Sequence, residues 1–203
     1  HWSSTCNLKC ITCWANQSSS IAQEQGKPVL HTPNDQADKI IDIIVDNQHN
    51  LKEIYLSGGK PTLIKHNQRL LKRLDKNIDC QFRINTNMMF EQDNAIINEI
   101  LKFKNVLFTI SADSTADRFN YIRRGADWQK FLTNLTWLQQ SHAKFRLNSV
   151  FFIASALYLT DTQKFFHNNF GITDFTINQV LMDHTVIKCR NLSHSLKEDC
   201  KTK

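Results

Sequence analysis

Leu51-Lys52-Glu53-Ile54-Tyr55-Leu56-Ser57-Gly58-Gly59-Lys60-Pro61 reads as a short buried strand that ends abruptly. The apolar run stops at Ser57-Gly58-Gly59, and Pro61 keeps it from resuming. A helix is expected just before it, from about Asp35 to Gln48, because Ala37, Ile40, Ile41, Ile44 and Val45 recur at helical spacing. The same alternation runs down the chain. Leu70, Leu71 and Leu74 mark a second helix, and Cys80 to Thr86 a strand with Phe82 and Ile84 on one face. Ile96, Ile97, Ile100 and Leu101 mark a third helix, followed by a strand from Val106 to Ser111. Trp128, Phe131, Leu132, Leu135 and Leu138 share one side of a fourth helix, with Asp127 as its cap. Phe145 to Phe152 is the next strand. Thr160 and Gln163 have the spacing of a capping box opening a fifth helix that Gly171 can end, and a last strand runs from Asp174 to Val180.

Strands alternating with helices imply a parallel sheet with helical crossovers. If the residues before Cys6 end a first strand, there are six such strands. Periodicity leaves two architectures open, an open doubly wound sheet and a partial barrel. After about Met182 the pattern turns polar and gives no element.

At 203 residues the chain suits one domain with a sizeable core, and 41 % hydrophobic with 22 % charged residues is ordinary for a globular protein. No run of about 18 apolar residues occurs, which argues against a transmembrane helix. His1-Trp2-Ser3-Ser4-Thr5 is neither a signal nor a transit peptide, and its abruptness is what trimming at the start would produce. The net charge is +6 and the pI near 9.0, but the basic residues are scattered. Only Lys72-Arg73 and Arg123-Arg124 are paired, as on a solvated surface.

Three of the six cysteines crowd into Cys6-Asn7-Leu8-Lys9-Cys10-Ile11-Thr12-Cys13, a C-x3-C-x2-C arrangement. Such crowding without a secretory signal favours a metal site and a reducing, cytoplasmic compartment over a disulfide framework. Three thiolates on one loop suit three irons of a 4Fe-4S cubane, leaving the fourth iron for another ligand. A zinc site is the competing reading, although zinc modules usually bring paired ligand sets, and no second C-x2-C or H-x3-H occurs.

This spacing resembles the hallmark of the radical S-adenosylmethionine (SAM) superfamily, and the resemblance extends over nearly the whole chain. Leu56-Ser57-Gly58-Gly59-Lys60-Pro61-Thr62-Leu63 is similar to that family's GGEP segment, and Asn85-Thr86-Asn87 to its Thr-Asn-Gly. Ser111-Ala112-Asp113 resembles its Ser-x-Asp, and Tyr121-Ile122-Arg123-Arg124-Gly125 the segment that follows. Asn148 falls where a polar residue often faces SAM. Asn7-Leu8-Lys9 and Ser18-Ser19-Ser20 look most like the twitch-domain members.

The resemblance implies an α/β fold, a TIM-like partial (βα)6 barrel of parallel strands. It assigns a core domain to 1–182 and leaves 183–203 as a polar extension. Cys6, Cys10 and Cys13 would hold the 4Fe-4S cluster. SAM would meet Gly58, Gly59, Lys60, Thr86, Ser111, Asp113, Arg123 and Asn148, with Asn85 a further candidate and Arg124 the alternative to Arg123. The implied activity is reductive cleavage of SAM to a 5'-deoxyadenosyl radical that abstracts hydrogen from a peptide, sugar or other small metabolite. A flavodoxin or ferredoxin would supply the electron. Independently of the family, the cysteine loop, Gly58-Gly59, Asn85-Thr86-Asn87 and Ser111-Asp113 all follow expected strands, so a parallel barrel gathers them on one rim.

Two positions depart from the family. Lys60 stands where Glu is usual and is expected to turn outward, because two ammonium groups about 4 Å apart repel by roughly 4 kcal/mol at an effective dielectric near 20. Thr12 stands where an aromatic often supports adenine, a place left to Trp14 or to no aromatic at all. Cys189 and Cys200 are too few for an auxiliary cluster, and Cys80 suits a core. The alternatives are an iron-sulfur and SAM-binding scaffold without turnover, supported by Lys60, and a zinc-stabilised nucleic-acid module. The module is disfavoured because the basic residues lack interleaved aromatics.

Overall fold

The computed structural model describes residues 2–179 and 191–202. A two-residue strand β1 (Lys9–Cys10) and a short helix α1 (Ser19–Glu24) precede the repeating units. Helix α2 (Asn34–Asp46), strand β2 (Glu53–Leu56), α3 (Lys65–Arg73), β3 (Gln81–Thr86), α4 (Ala95–Ile100) and β4 (Asn105–Ser111) follow. Then come α5 (Ala116–Ile122), β5 (Arg123–Arg124), α6 (Trp128–Leu138), β6 (Lys144–Phe151), α7 (Leu159–Phe170) and β7 (Phe175–Gln179). Helix α8 (His194–Thr202) closes the described chain.

Five strands pair in the order β2-β3-β4-β6-β7, all parallel, which is the α/β architecture that the alternation implied. Alternation within each strand explains the layering. Phe82 and Ile84 of β3 and Phe108 and Ile110 of β4 point to the helices and are buried there with Leu70, Leu71, Ile97 and Phe131. Asn85 and Thr109, paired in register, face the other way. Phe82 stacks on Phe103 with ring centroids 3.8 Å apart, and Trp128, Phe131 and Phe119 form a second aromatic group. Each such side chain contributes about 1.5–3 kcal/mol by leaving water.

Asp127 caps α6 as expected, its Oδ1 accepting from Gln129 N at 2.8 Å and Lys130 N at 3.2 Å. Two expectations are corrected, and one unassigned segment gains an element. No sixth strand precedes Cys6 among the described residues; Ser3 makes only an isolated antiparallel bridge to His31. Thr160 opens no capping box, because α7 begins earlier, at Leu159, with Tyr158 at its N-cap. The polar tail contains a helix, α8, whereas the expected boundary at Met182 lies outside the described residues, as does Val180. Helices α1 and α5 had no signal in the sequence reading. No helix among the described residues is long and apolar enough to cross a membrane.

Candidate functional site

At the carboxyl ends of the parallel strands lies a cavity of about 460 Å³, a size that suits a small organic ligand. Cys6, Cys10 and Cys13 line one wall, and all three are free thiols. Gly58, Gly59 and Lys60 after β2, Asn85, Thr86 and Asn87 at the tip of β3, Ser111 of β4, Arg123 of β5 and Asn148 of β6 line the rest. A more apolar groove of about 390 Å³ runs along the free edge of β2 and contains no thiol.

Local hydrogen bonds hold the cysteine loop in place. Ser19 Oγ and Ser20 Oγ donate to the Cys6 carbonyl at 3.1 and 2.8 Å, and Ser18 Oγ to that of Leu8 at 2.6 Å. The serine run therefore staples the loop from below, while Ser18 caps α1. Asn7 ties the loop to the tip of β3: its Oδ1 accepts from Asn87 Nδ2 at 3.2 Å and its Nδ2 donates to the Met89 carbonyl at 3.4 Å. In that tip Met88 has φ 61°, the conformation glycine favours. The likeness to Thr-Asn-Gly is thus carried by Thr86-Asn87-Met88, one residue further on than the sequence reading placed it.

Gly59 has a steric reason to be glycine. A Cβ there would lie 2.4 Å from the carbonyl oxygens of both Ser4 and Thr5, and Lys60 N donates to that Thr5 oxygen at 2.6 Å. Gly58 precedes it at φ 122°. Gly59→Ala is expected to lower stability by about 1–3 kcal/mol, the usual range for overpacking, and thermal unfolding measures it. A melting point equal to that of the parent would contradict this packing.

The antiparallel pairing of β1 with β5 sets Arg123 opposite Cys10. Arg123 Nη1 lies 4.0 Å from Cys10 Sγ, and Nη2 forms an ion pair with Asp113 Oδ2 at 2.8 Å. Burial works against the guanidinium charge, but Asp113, Cys10 and Cys13 outweigh it and raise the pKa of Arg123 above its ordinary value. Cys10 is lowered to about 7, first by a hydrogen bond from Cys13 and then by Arg123, against the effect of burial. Cys13 is raised by that same bond and by burial, so of the two Cys10 is the readier to ionise. Burial also raises Cys6.

Two side chains are oriented differently from what was expected. Asp113 does not line the cavity; it is 1 % exposed and its Oδ1 accepts from Val150 N at 2.8 Å. The carboxylate that resembled a ribose ligand instead braces Arg123. Lys60 does not turn out to solvent either. It is 2 % exposed, lines the cavity and donates from Nζ to the Met89 carbonyl. That acceptor removes the need for the ammonium to seek water, while burial lowers its pKa to about 8.

Arg124 points away, with 58 % of its side chain exposed, and bonds the Lys9 carbonyl at 3.1 Å. Asn148 Oδ1 accepts from Asn178 Nδ2 at 2.5 Å; Asn178 lines the cavity and had not been singled out. Thr12 is in the wall and Trp14 is not. Cys80 packs in the core, Cys189 lies outside the described residues, and so does the side chain of Cys200.

Among the described residues no three His, Cys, Asp or Glu side chains converge on a single metal ion. A cubane asks less, since each thiolate takes a different iron, and three free thiols on one wall beside buried cations match that donor set. Asn85 Oδ1 in the wall and Thr109 Oγ1 beside it in register are buried without a partner among the described residues. Unpaired polar atoms of this kind fit a polar ligand rather than a packed core.

Fold and site together define a parallel α/β partial barrel with a three-thiol cavity on its catalytic rim. The chain belongs to the radical SAM superfamily, whose family profile matches residues 2–154. Members of that family are enzymes. The chain is similar to native anSMEcpe with bound AdoMet and Kp18Cys peptide, at 18% identity and TM-score 0.69, over 88% of this chain and 49% of that one. It is also similar to Streptococcus suis SuiB bound to S-adenosylmethionine, at 18% identity and TM-score 0.68, over 98% and 44%. TYW1 with a lysine-pyruvate adduct is similar at 18% identity and TM-score 0.58, over 97% and 68%. The chain spans about half the length of the first two relatives. No curated protein matches it.

Proposed function

We propose that this chain is the core of a radical SAM enzyme, with Cys6, Cys10 and Cys13 holding a 4Fe-4S cluster and SAM seated in the adjoining cavity. The observation that carries this reading is one cavity at the carboxyl ends of the strands that combines three free thiols with the buried, unpaired Asn85 Oδ1. When bound, cluster and SAM supply a 5'-deoxyadenosyl radical by reductive cleavage, and that radical abstracts hydrogen from the substrate. The chain's own residues orient and shield. In this reading the carbonyls of Gly58 and Gly59 would accept from the methionine ammonium, Arg123 would meet its carboxylate, and Asn85, Thr86, Ser111 and Asn148 would bond the nucleoside. Peptide-bound relatives support a peptide as substrate, and a flavodoxin or ferredoxin suits the electron supply. Asn7-Leu8-Lys9 and the serine staple support a place near the twitch-domain group, and free thiols support a reducing, cytoplasmic setting.

Anaerobic reconstitution tests the reading. The chain is expected to take up iron and labile sulfide and, with SAM and dithionite, to release 5'-deoxyadenosine. Cys10→Ala is expected to abolish both. No iron and sulfide uptake would refute the proposal. Cluster uptake and SAM binding without 5'-deoxyadenosine would favour the second reading, a scaffold without turnover. The buried Lys60 ammonium beside the ligand cavity supports that reading.

A further inference from the structure

Among the described residues no carboxylate lines the cavity, whereas two buried cations do: Arg123, 7 % exposed, and Lys60, 2 % exposed. Each stands beside a different cysteine. Arg123 Nη1 is 4.0 Å from Cys10 Sγ, and Lys60, whose backbone N donates to the Thr5 carbonyl just before Cys6, lines the same cavity as that thiol. Neither is free to swing into solvent. Arg123 is set by its register opposite Cys10 and by Asp113, which is itself fastened to Val150 N. Lys60 is fastened to the Met89 carbonyl, in a tip that Asn134 also grips through the Met88 and Phe90 carbonyls at 2.7 and 2.8 Å. Arg124, one residue on, faces the opposite side of the ribbon and plays no part, as alternation along a strand requires.

We infer that Arg123 and Lys60 are positioning residues that compensate the charge of the cysteine loop and so make the cluster bound there easier to reduce. The inference rests on the radical SAM reading but goes beyond it. Adding an electron to a cluster held by three thiolates increases negative charge in a partly dry site. The net charge and the hydrogen bonds to the sulfurs are the levers by which a protein sets the potential. Arg123 supplies an N–H···S donor and the near, positive end of a dipole whose negative end is Asp113. Lys60 supplies charge alone.

The test is a redox titration of the reconstituted full chain without SAM, followed by electron paramagnetic resonance, after iron and sulfide have been counted. The main variant is Arg123→Gln with Asp113→Asn, which leaves no buried charge unpaired. At the midpoint of the parent it is expected to shift the ratio of reduced to oxidised cluster at least tenfold toward the oxidised form, a change of about 59 mV for one electron. Arg123→Lys is expected to recover part of that shift, Lys60→Met to shift it in the same direction, and Arg124→Gln to leave it unchanged. If the double variant loses its cluster, the potential of Lys60→Met decides. An unchanged potential at full cluster content overturns the inference while leaving the radical SAM reading intact. A parent chain that takes up no cluster overturns both.

Discussion

Asp113→Ala is expected to lower the stability of the iron-free chain by about 3–5 kcal/mol, the range found when one partner of a buried ion pair is removed. The reason is asymmetric. Arg123 cannot shed its proton, so removing the carboxylate strands a full positive charge at a site that is 7 % exposed. Two further connections go with it. Val150 N loses the acceptor that joins β6 to the tip of β4, and the guanidinium loses the brace that aims it at Cys10. A neutral pair, Asp113→Ala with Arg123→Met, is expected to recover most of the loss, because no charge is left buried. Urea unfolding of the four members of this cycle measures the coupling. A loss of less than about 1 kcal/mol in Asp113→Ala, or no recovery in the pair, would contradict the ion pair as drawn.

What was legible in the sequence follows from what is local. The five parallel strands and the helices α2, α3, α4, α6 and α7 announce themselves through apolar residues at spacing 2 or 3.6, because each buries one face against the same core. Cys6, Cys10, Cys13 and Gly58-Gly59 were visible as motifs. Helix α5 was not, because only Phe119 and Ile122 of its seven residues are buried and no side chain caps it. Helix α1 hid in a polar run for a similar reason, although Ser18 ahead of Ile21 was a usable signal.

The orientation of individual site side chains was hidden for a different reason. Arg123 stands beside Cys10 only because β1 and β5 pair across more than a hundred residues, a contact with no trace in local pattern, and Asp113 turns to Arg123 and to Val150 N rather than into the cavity. Lys60 was expected to point outward on electrostatic grounds that considered the ligand alone. The Met89 carbonyl, which receives its ammonium, comes from the turn after β3. Spacing located the rim of the site, and long-range pairing decided which side chains turn into it.

Lys60 makes a second large prediction, a dependence of stability on pH with a definite sign. Burial lowers its pKa from the usual 10.5 to about 8 in the folded chain. Below about pH 8 both folded and unfolded chains hold the proton, so burying the ammonium costs its full amount and the slope is zero. Between about 8 and 10.5 the unfolded chain binds more protons than the folded one, and stability must therefore rise with pH. Above 10.5 both are neutral and the penalty is gone. At 1.36 kcal/mol for each pKa unit the gain is about 3 kcal/mol. Many groups titrate in this window, the thiols among them, so the quantity to measure is the difference between the parent and Lys60→Met. In iron-free, reduced protein the parent is expected to gain on the variant by about 3 kcal/mol from pH 8 to 10.5, by urea unfolding. A difference that stays flat across that window would mean that the ammonium reaches water, and that the cavity wall opens at Lys60.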